Sequence, residues 1–169
     1  MKTKLICSML LVMGVALATG CRKDEADGKM MVMMTDAPGV FQQVNVEIRQ
    51  VRVHTEKGWM DLPTNSGVYN LLTLQNGVQT ALVAATPAPA GKVDQMRLVL
   101  GSNNTVMVDN IVYPLSTPSG SESGIKIKNP IFVQANSTTV VLIDFNAQTS
   151  VVLQGNGTYQ LKPVIEVVQ

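Results

Sequence analysis

Three aspartates stand where strand-forming residues give way to a turn: Asp36 in T-D-A-P-G, Asp109 in V-D-N and Asp144 in D-F-N-A. Carboxylates gathered at strand ends could supply part of the roughly six to eight oxygens that calcium takes. No D-x-D-x-D-G loop is present, and aspartate is also a turn residue, because its side chain accepts bonds from nearby backbone amides. The turn reading is preferred for all three, and neither a metal nor another cofactor is expected. Asp144 is the least ordinary. It shares a strand face with Val140 and Leu142, so partial burial is expected, and a buried carboxylate needs partners. The amides of the following N-A-Q-T-S segment could serve, as could Lys126 or Lys162, each set between apolar neighbours. On that reading Asp144 is structural and Asp144→Asn lowers the melting temperature.

Catalysis would need more than isolated carboxylates. The one histidine, His54, alternates with Val53 on the polar side of a strand, a solvated position. A serine nucleophile needs a base and an oxyanion hole, and no G-x-S-x-G elbow occurs. The chain is therefore not expected to be an enzyme. Trp59, the sole tryptophan, lies in K-G-W-M-D-L and is the candidate for ligand binding, since an aromatic face suits the C–H face of a sugar. As a core or edge packing residue it needs no function, and that reading is preferred.

The elements that must position these side chains read as strands. Valine, isoleucine and threonine recur in short runs near 30–34, 43–54, 58–62, 67–72, 93–100, 105–108, 111–115, 125–128, 131–134, 138–145, 149–153 and 158–167. Glycine, asparagine, proline and serine separate them at intervals that suit a sandwich or barrel. The best helical candidate, Leu71 to Ala85, is broken by Asn76-Gly77, so at most a short helix is expected there. T-P-A-P-A-G at 86–91 reads as a stiffened loop, and S-T-P-S-G-S-E-S-G at 116–124 as a low-complexity one.

Alternation within these runs is informative. Val44, Val46 and Ile48 share one face, but Val51, Val53 and Thr55 continue on the opposite parity. A parity switch without a turn implies one extra residue, a β-bulge at Arg49–Gln50. Both faces of the 138–145 run are apolar, which predicts a central strand covered on each side. Pro163 cannot donate to a ladder and is expected at an edge or bulge. Met30, Met31, Met33 and Met34 make a methionine-dense first strand, read as adaptable core filler.

The N-terminus sets the expected location. Lys2 and Lys4 precede an apolar run, Leu5 to Ala18, ending in L-A-T-G-C. The run is shorter than the roughly 20 residues of a spanning helix and suits a secretory signal over 1–20. The small residues before Cys21 are similar to a bacterial lipobox, with Ala18 where leucine is usual, so Cys21 is expected to be lipidated. R-K-D-E-A-D-G at 22–28 is polar and reads as a flexible tether, leaving one domain over 29–169. Its basic-then-acidic order resembles an export signal for the outer face of the outer membrane. Removal of 1–20 would take away Lys2, Lys4 and Cys7, leaving eleven basic and twelve acidic side chains and no possible intramolecular disulfide.

Composition excludes other classes. The 169 residues suit one domain, and 46% hydrophobic with 15% charged residues suits a buried core. A formal charge of +1 without a basic cluster argues against nucleic-acid binding.

M-T-D-A-P-G at 34–39, M-R-L-V-L-G at 96–101, P-S-G-S-E-S-G-I-K at 118–126, D-F-N-A-Q-T-S-V-V at 144–152 and G-T-Y-Q-L-K-P-V-I at 157–165 resemble, in order, a lipoprotein family common in Bacteroidota, named domain of unknown function 4382. The family usually reads D-F-D where this chain has Asp144-Phe145-Asn146. The resemblance implies an all-β, antiparallel sandwich similar to immunoglobulin or transthyretin-like domains, and no activity. The expectation is thus a lipid-anchored, outer-membrane, surface-facing monomer that binds a glycan or protein without catalysis. The alternative is a structural subunit of a fimbria-like or adhesion assembly, provided the Met30–Met34 strand is an edge open to strand addition.

Overall fold

A computed structural model describes residues 26–117, 124–127 and 130–168. Cys21, the signal region, and most of the 116–124 loop lie outside the described residues. The strands are β1 Gly28–Thr35, β2 Gln43–Thr55, β3 Gly58–Leu62, β4 Gly67–Asn70, β5 Thr80–Ala88, β6 Gly91–Leu100, β7 Thr105–Val108 and β8 Ile111–Ser116. They continue as β9 Ile125–Ile127, β10 Ile131–Val133, β11 Thr138–Phe145, β12 Val151–Leu153, β13 Tyr159–Leu161 and β14 Ile165–Val168. A 3-10 turn, Leu71–Leu74, precedes β5, and a one-turn helix, α1 Ala147–Ser150, follows β11.

Two sheets form the sandwich. One has the order β14-β11-β1-β5; the other runs β10-β6-β2-β7-β8-β13-β12, with β3 and β4 also pairing β2 and β9 pairing β6. The all-β sandwich expectation holds, but purely antiparallel sheets do not: β1–β11 and β8–β13 are parallel. The chain leaves the first sheet after β5, builds much of the second, and re-enters through the turn before β11. There Lys29 donates its N–H to Ser137 O at 2.8 Å. The returning strand therefore starts beside the start of β1 and runs with it.

Alternating apolar residues fill the space between the sheets. Met30, Val32 and Met34 of β1, Val44, Val46 and Ile48 of β2, and Ile143 and Phe145 of β11 are fully buried. The expected bulge is present. The β2–β6 register shifts between Ile48 and Gln50, after which Val51 and Val53 point inward.

Several expectations need correction. The methionine-rich β1 is interior, between β11 and β5, so it presents no edge and cannot carry the assembly-subunit reading. Beta-11 is interior too, yet Val140 on its outer face is 58% exposed, so that face is not covered throughout. The first half of the supposed 86–91 loop, Thr86 to Ala88, belongs to β5, whose edge position tolerates Pro87. The single 158–167 strand divides into β13 and β14, which belong to different sheets; the chain crosses between them at Lys162–Val164.

Candidate functional site

Chemistry-bearing side chains gather in two places. The first is the end of the sandwich where the parallel strands β1 and β11 finish. Asp36, just beyond β1, is 3% exposed. Its Oδ1 accepts the Ala147 N–H at 2.7 Å across 111 residues of chain, and its Oδ2 accepts Gln75 Nε2 at 3.2 Å. Its own N–H donates to Leu74 O at 3.1 Å. One carboxylate thus ties the strap after β1, the 3-10 turn and α1 together. The Val40 N–H donates to Gln148 Oε1 at 2.9 Å, completing the contact between T-D-A-P-G and D-F-N-A-Q.

Asp144 is half-buried at the same end, aligned with Thr35 on β1 and Glu166 on β14. Burial raises its pKa and the Glu166 charge adds to the rise, while the Ala37 amide opposes it. Its Oδ1 is buried without a hydrogen-bond partner. Asp36 is also raised, first by burial and further by the nearby Asp144 charge, against the bonds from Ala147 and Gln75. Two carboxyl groups that both disfavour ionisation therefore share one end.

The expected partners of Asp144 are not the observed ones. Ala147, from the N-A-Q-T-S segment, donates to Asp36 instead, and Asn146 caps α1 by accepting the Thr149 N–H at 3.0 Å. Among the described residues no ion pair joins Asp144 to Lys126 or Lys162. Lys126 is exposed on β9, in register with Arg97 of the neighbouring β6 in the larger sheet, and Lys162 is exposed where the chain changes sheets. Asp109 stands apart in the second sheet. With Asn110 it makes the tight β7–β8 turn, at φ +49° and +61°, the left-handed pair of a two-residue hairpin. The three calcium candidates therefore do not converge, and among the described residues no group of three or more His, Cys, Asp or Glu is placed to hold a metal.

The second place is the outer face of the larger sheet. Trp59 on β3 is 42% exposed. His54, its register partner on β2, meets the indole edge-on at 5.0 Å. The guanidinium of Arg97, from β6, lies 4.6 Å from the ring centroid, and that of Arg52 lies 5.6 Å from it. Arg52 is held in turn by Asp61. At the margin Lys92 donates to Asp94 at 2.8 Å, which keeps the Asp94 carboxyl below its usual range, and His54 Nδ1 lies 3.9 Å from the same carboxylate. The arrangement is a flat aromatic surface with its cations placed by strand pairing.

The sequence singled out Trp59 as the binding candidate and placed His54 on the polar side of its strand. Arg52 was visible only as a neighbour of His54, and Arg97 carried no signal. The alternation in M-R-L-V-L could have placed Arg97 outward, but only the β2–β6 register sets it opposite Arg52.

Two sheets of mixed direction packed over one apolar core define a β-sandwich with no closed barrel. The profile of the family described as domain of unknown function (DUF4382) matches residues 27–163, and the chain belongs to that family. Neither the curated proteins nor the solved structures offer a match to it.

Proposed function

We propose that this protein is a lipid-anchored component of the bacterial outer membrane, displayed at the cell surface, whose sandwich is a non-catalytic module that binds a glycan or protein ligand on the outer face around Trp59. The observation that carries the reading is the half-exposed indole held by Arg97, Arg52 and His54 on a sheet face. Tryptophan and arginine are the side chains that most often dominate binding surfaces, and an indole also stacks on sugars. Strand pairing orients these side chains before a ligand arrives, which lowers the ordering cost of binding. The anchor rests on Cys21 and the short apolar run before it.

Trp59 is the only tryptophan, so its fluorescence reports on the proposed face directly. A glycan array and a pull-down from envelope extracts supply candidate ligands. A true ligand shifts Trp59 emission on titration, and Trp59→Ala abolishes binding while leaving the circular dichroism spectrum unchanged. Binding that survives Trp59→Ala overturns the assignment of the face. Incorporation of radiolabelled fatty acid in wild type, lost in Cys21→Ala, tests the anchor, and protease shaving of intact cells tests surface display.

A further inference from the structure

The chain enters the fold at one corner of the sandwich. There Asn136 donates its N–H to Asp27 O at 3.2 Å, and a Cβ added to Gly28 would lie 2.2 Å from Gln134 O. The entry point is thus locked against the turn between β10 and β11. Close by, on those two strands, Phe132 is 64% and Val140 58% exposed, and Val168 of β14 is 40% exposed. With Pro130, Ile131 and Val167 they line one groove of about 420 Å³. Beta-10 and β14 each end their sheet's strand order, so the groove lies between two strand edges. Three large apolar side chains left exposed along one groove are more than scattered surface residues, and such groupings are where interaction sites occur.

We infer that this groove rests on the lipid bilayer, with Phe132, Val140 and Val168 reaching into the boundary between headgroups and acyl chains. The inference rests on the lipid anchor proposed above. Seven residue steps lead from the anchoring position, Cys21, to Gly28, a span of at most roughly 25 Å. Phe132 and Val140 lie two and three residues inward from the entry turn, about 10 Å at the rise of a strand. Asp36 lies at the far end of β1, roughly 25 Å away. A tether attached at the groove's corner keeps that corner nearer its anchor, on average, than the Asp36 end. Once tethered, the apolar side chains meet lipid at high effective concentration, so a contact too weak to recruit the protein can still set its orientation.

The test uses full-length lipidated protein in vesicles of phosphatidylethanolamine and phosphatidylglycerol. An environment-sensitive fluorophore is attached at Val140→Cys or, as control, at Ser102→Cys in the turn after β6 at the opposite end. The expected result is a blue shift at position 140 and severalfold stronger quenching by doxyl-labelled lipid there than at position 102, both lost when Phe132→Asp is added. Equal quenching at the two positions, in protein that floats with the vesicles, overturns the docking and leaves the anchor standing. Wild-type protein that does not float overturns both. Protection of position 140 that appears without vesicles and grows with protein concentration replaces the bilayer with a second copy of this chain.

Discussion

The Asp36–Asp144 end and the Trp59 face are built from similar materials, charged side chains at strand positions, with opposite results. At the first, the polar groups point into the seam between elements. Asp36 is spent on holding an amide of α1 and the side chain of Gln75, and Asp144 lies among other acids with one oxygen unpartnered. At the second, each charge is placed at the surface by register, and the aromatic ring stays half-open to solvent. Internal bonding consumes the first constellation and leaves the second available. Burial rather than residue type separates a structural carboxylate from a candidate binding surface.

The sharpest break in that comparison is Asp36→Ala. It strands the Ala147 N–H in a buried seam and leaves Gln75 Nε2 only its 3.3 Å bond to Ala37 O; an unsatisfied buried group costs about 1–3 kcal/mol. A clear fall in melting temperature is expected, measured by calorimetry. An unchanged value would mean that the strap, the 3-10 turn and α1 do not depend on this carboxylate.

Asp144→Asn is expected to act in the other direction. Both carboxyl pKa values are raised in the fold, so the folded state binds these protons more tightly than the unfolded chain. Their ionisation therefore costs stability once the pH exceeds the folded values, and the cost vanishes below the unfolded ones. Removing the Asp144 charge relieves Asp36 while keeping an oxygen for the Ala37 amide. This reverses the destabilisation expected from the sequence. The variant should be more stable at neutral pH by up to about 1 kcal/mol, and its advantage should close as the pH falls. Thermal melts of both proteins across acidic to neutral pH check the sign; a gap that widens in acid would sink the account.

At the Trp59 face the expected stability effect is smaller. Trp59→Ala should cost about 0.5–1 kcal/mol, the scale of cation–π contacts at exposed sites. A fall as large as that of Asp36→Ala would make Trp59 a packing residue and erase the contrast. The smallest effect is expected at Asp109→Gly, within about 0.5 kcal/mol, because glycine takes positive φ without strain. A larger loss would show that the Asp109 carboxylate does more than shape its turn.

What was legible in the sequence follows one rule. Features set by neighbours along the chain could be read: the bulge after Ile48, the interior alternation of β2, the turn at Asp109-Asn110, the stop in the helical pattern at Asn76. Beta-5 was not legible. Its small residues and Pro87 resemble a loop, and only pairing with β1 at a sheet edge makes them a strand. Arg97 could be placed outward by alternation, but not beside Trp59, because cross-strand register depends on residues far away in sequence.

The sequence by itself determined the all-β class, the alternating core and the family, because side-chain period, turn preference and motif order are local properties. Tertiary structure alone decided that β1 and β11 run parallel, that Asp36 rather than Asp144 takes the amide of α1, and that Arg52 and Arg97 close on one indole. Those outcomes depend on which strands meet and in what register, and that choice is made by the burial of the whole core.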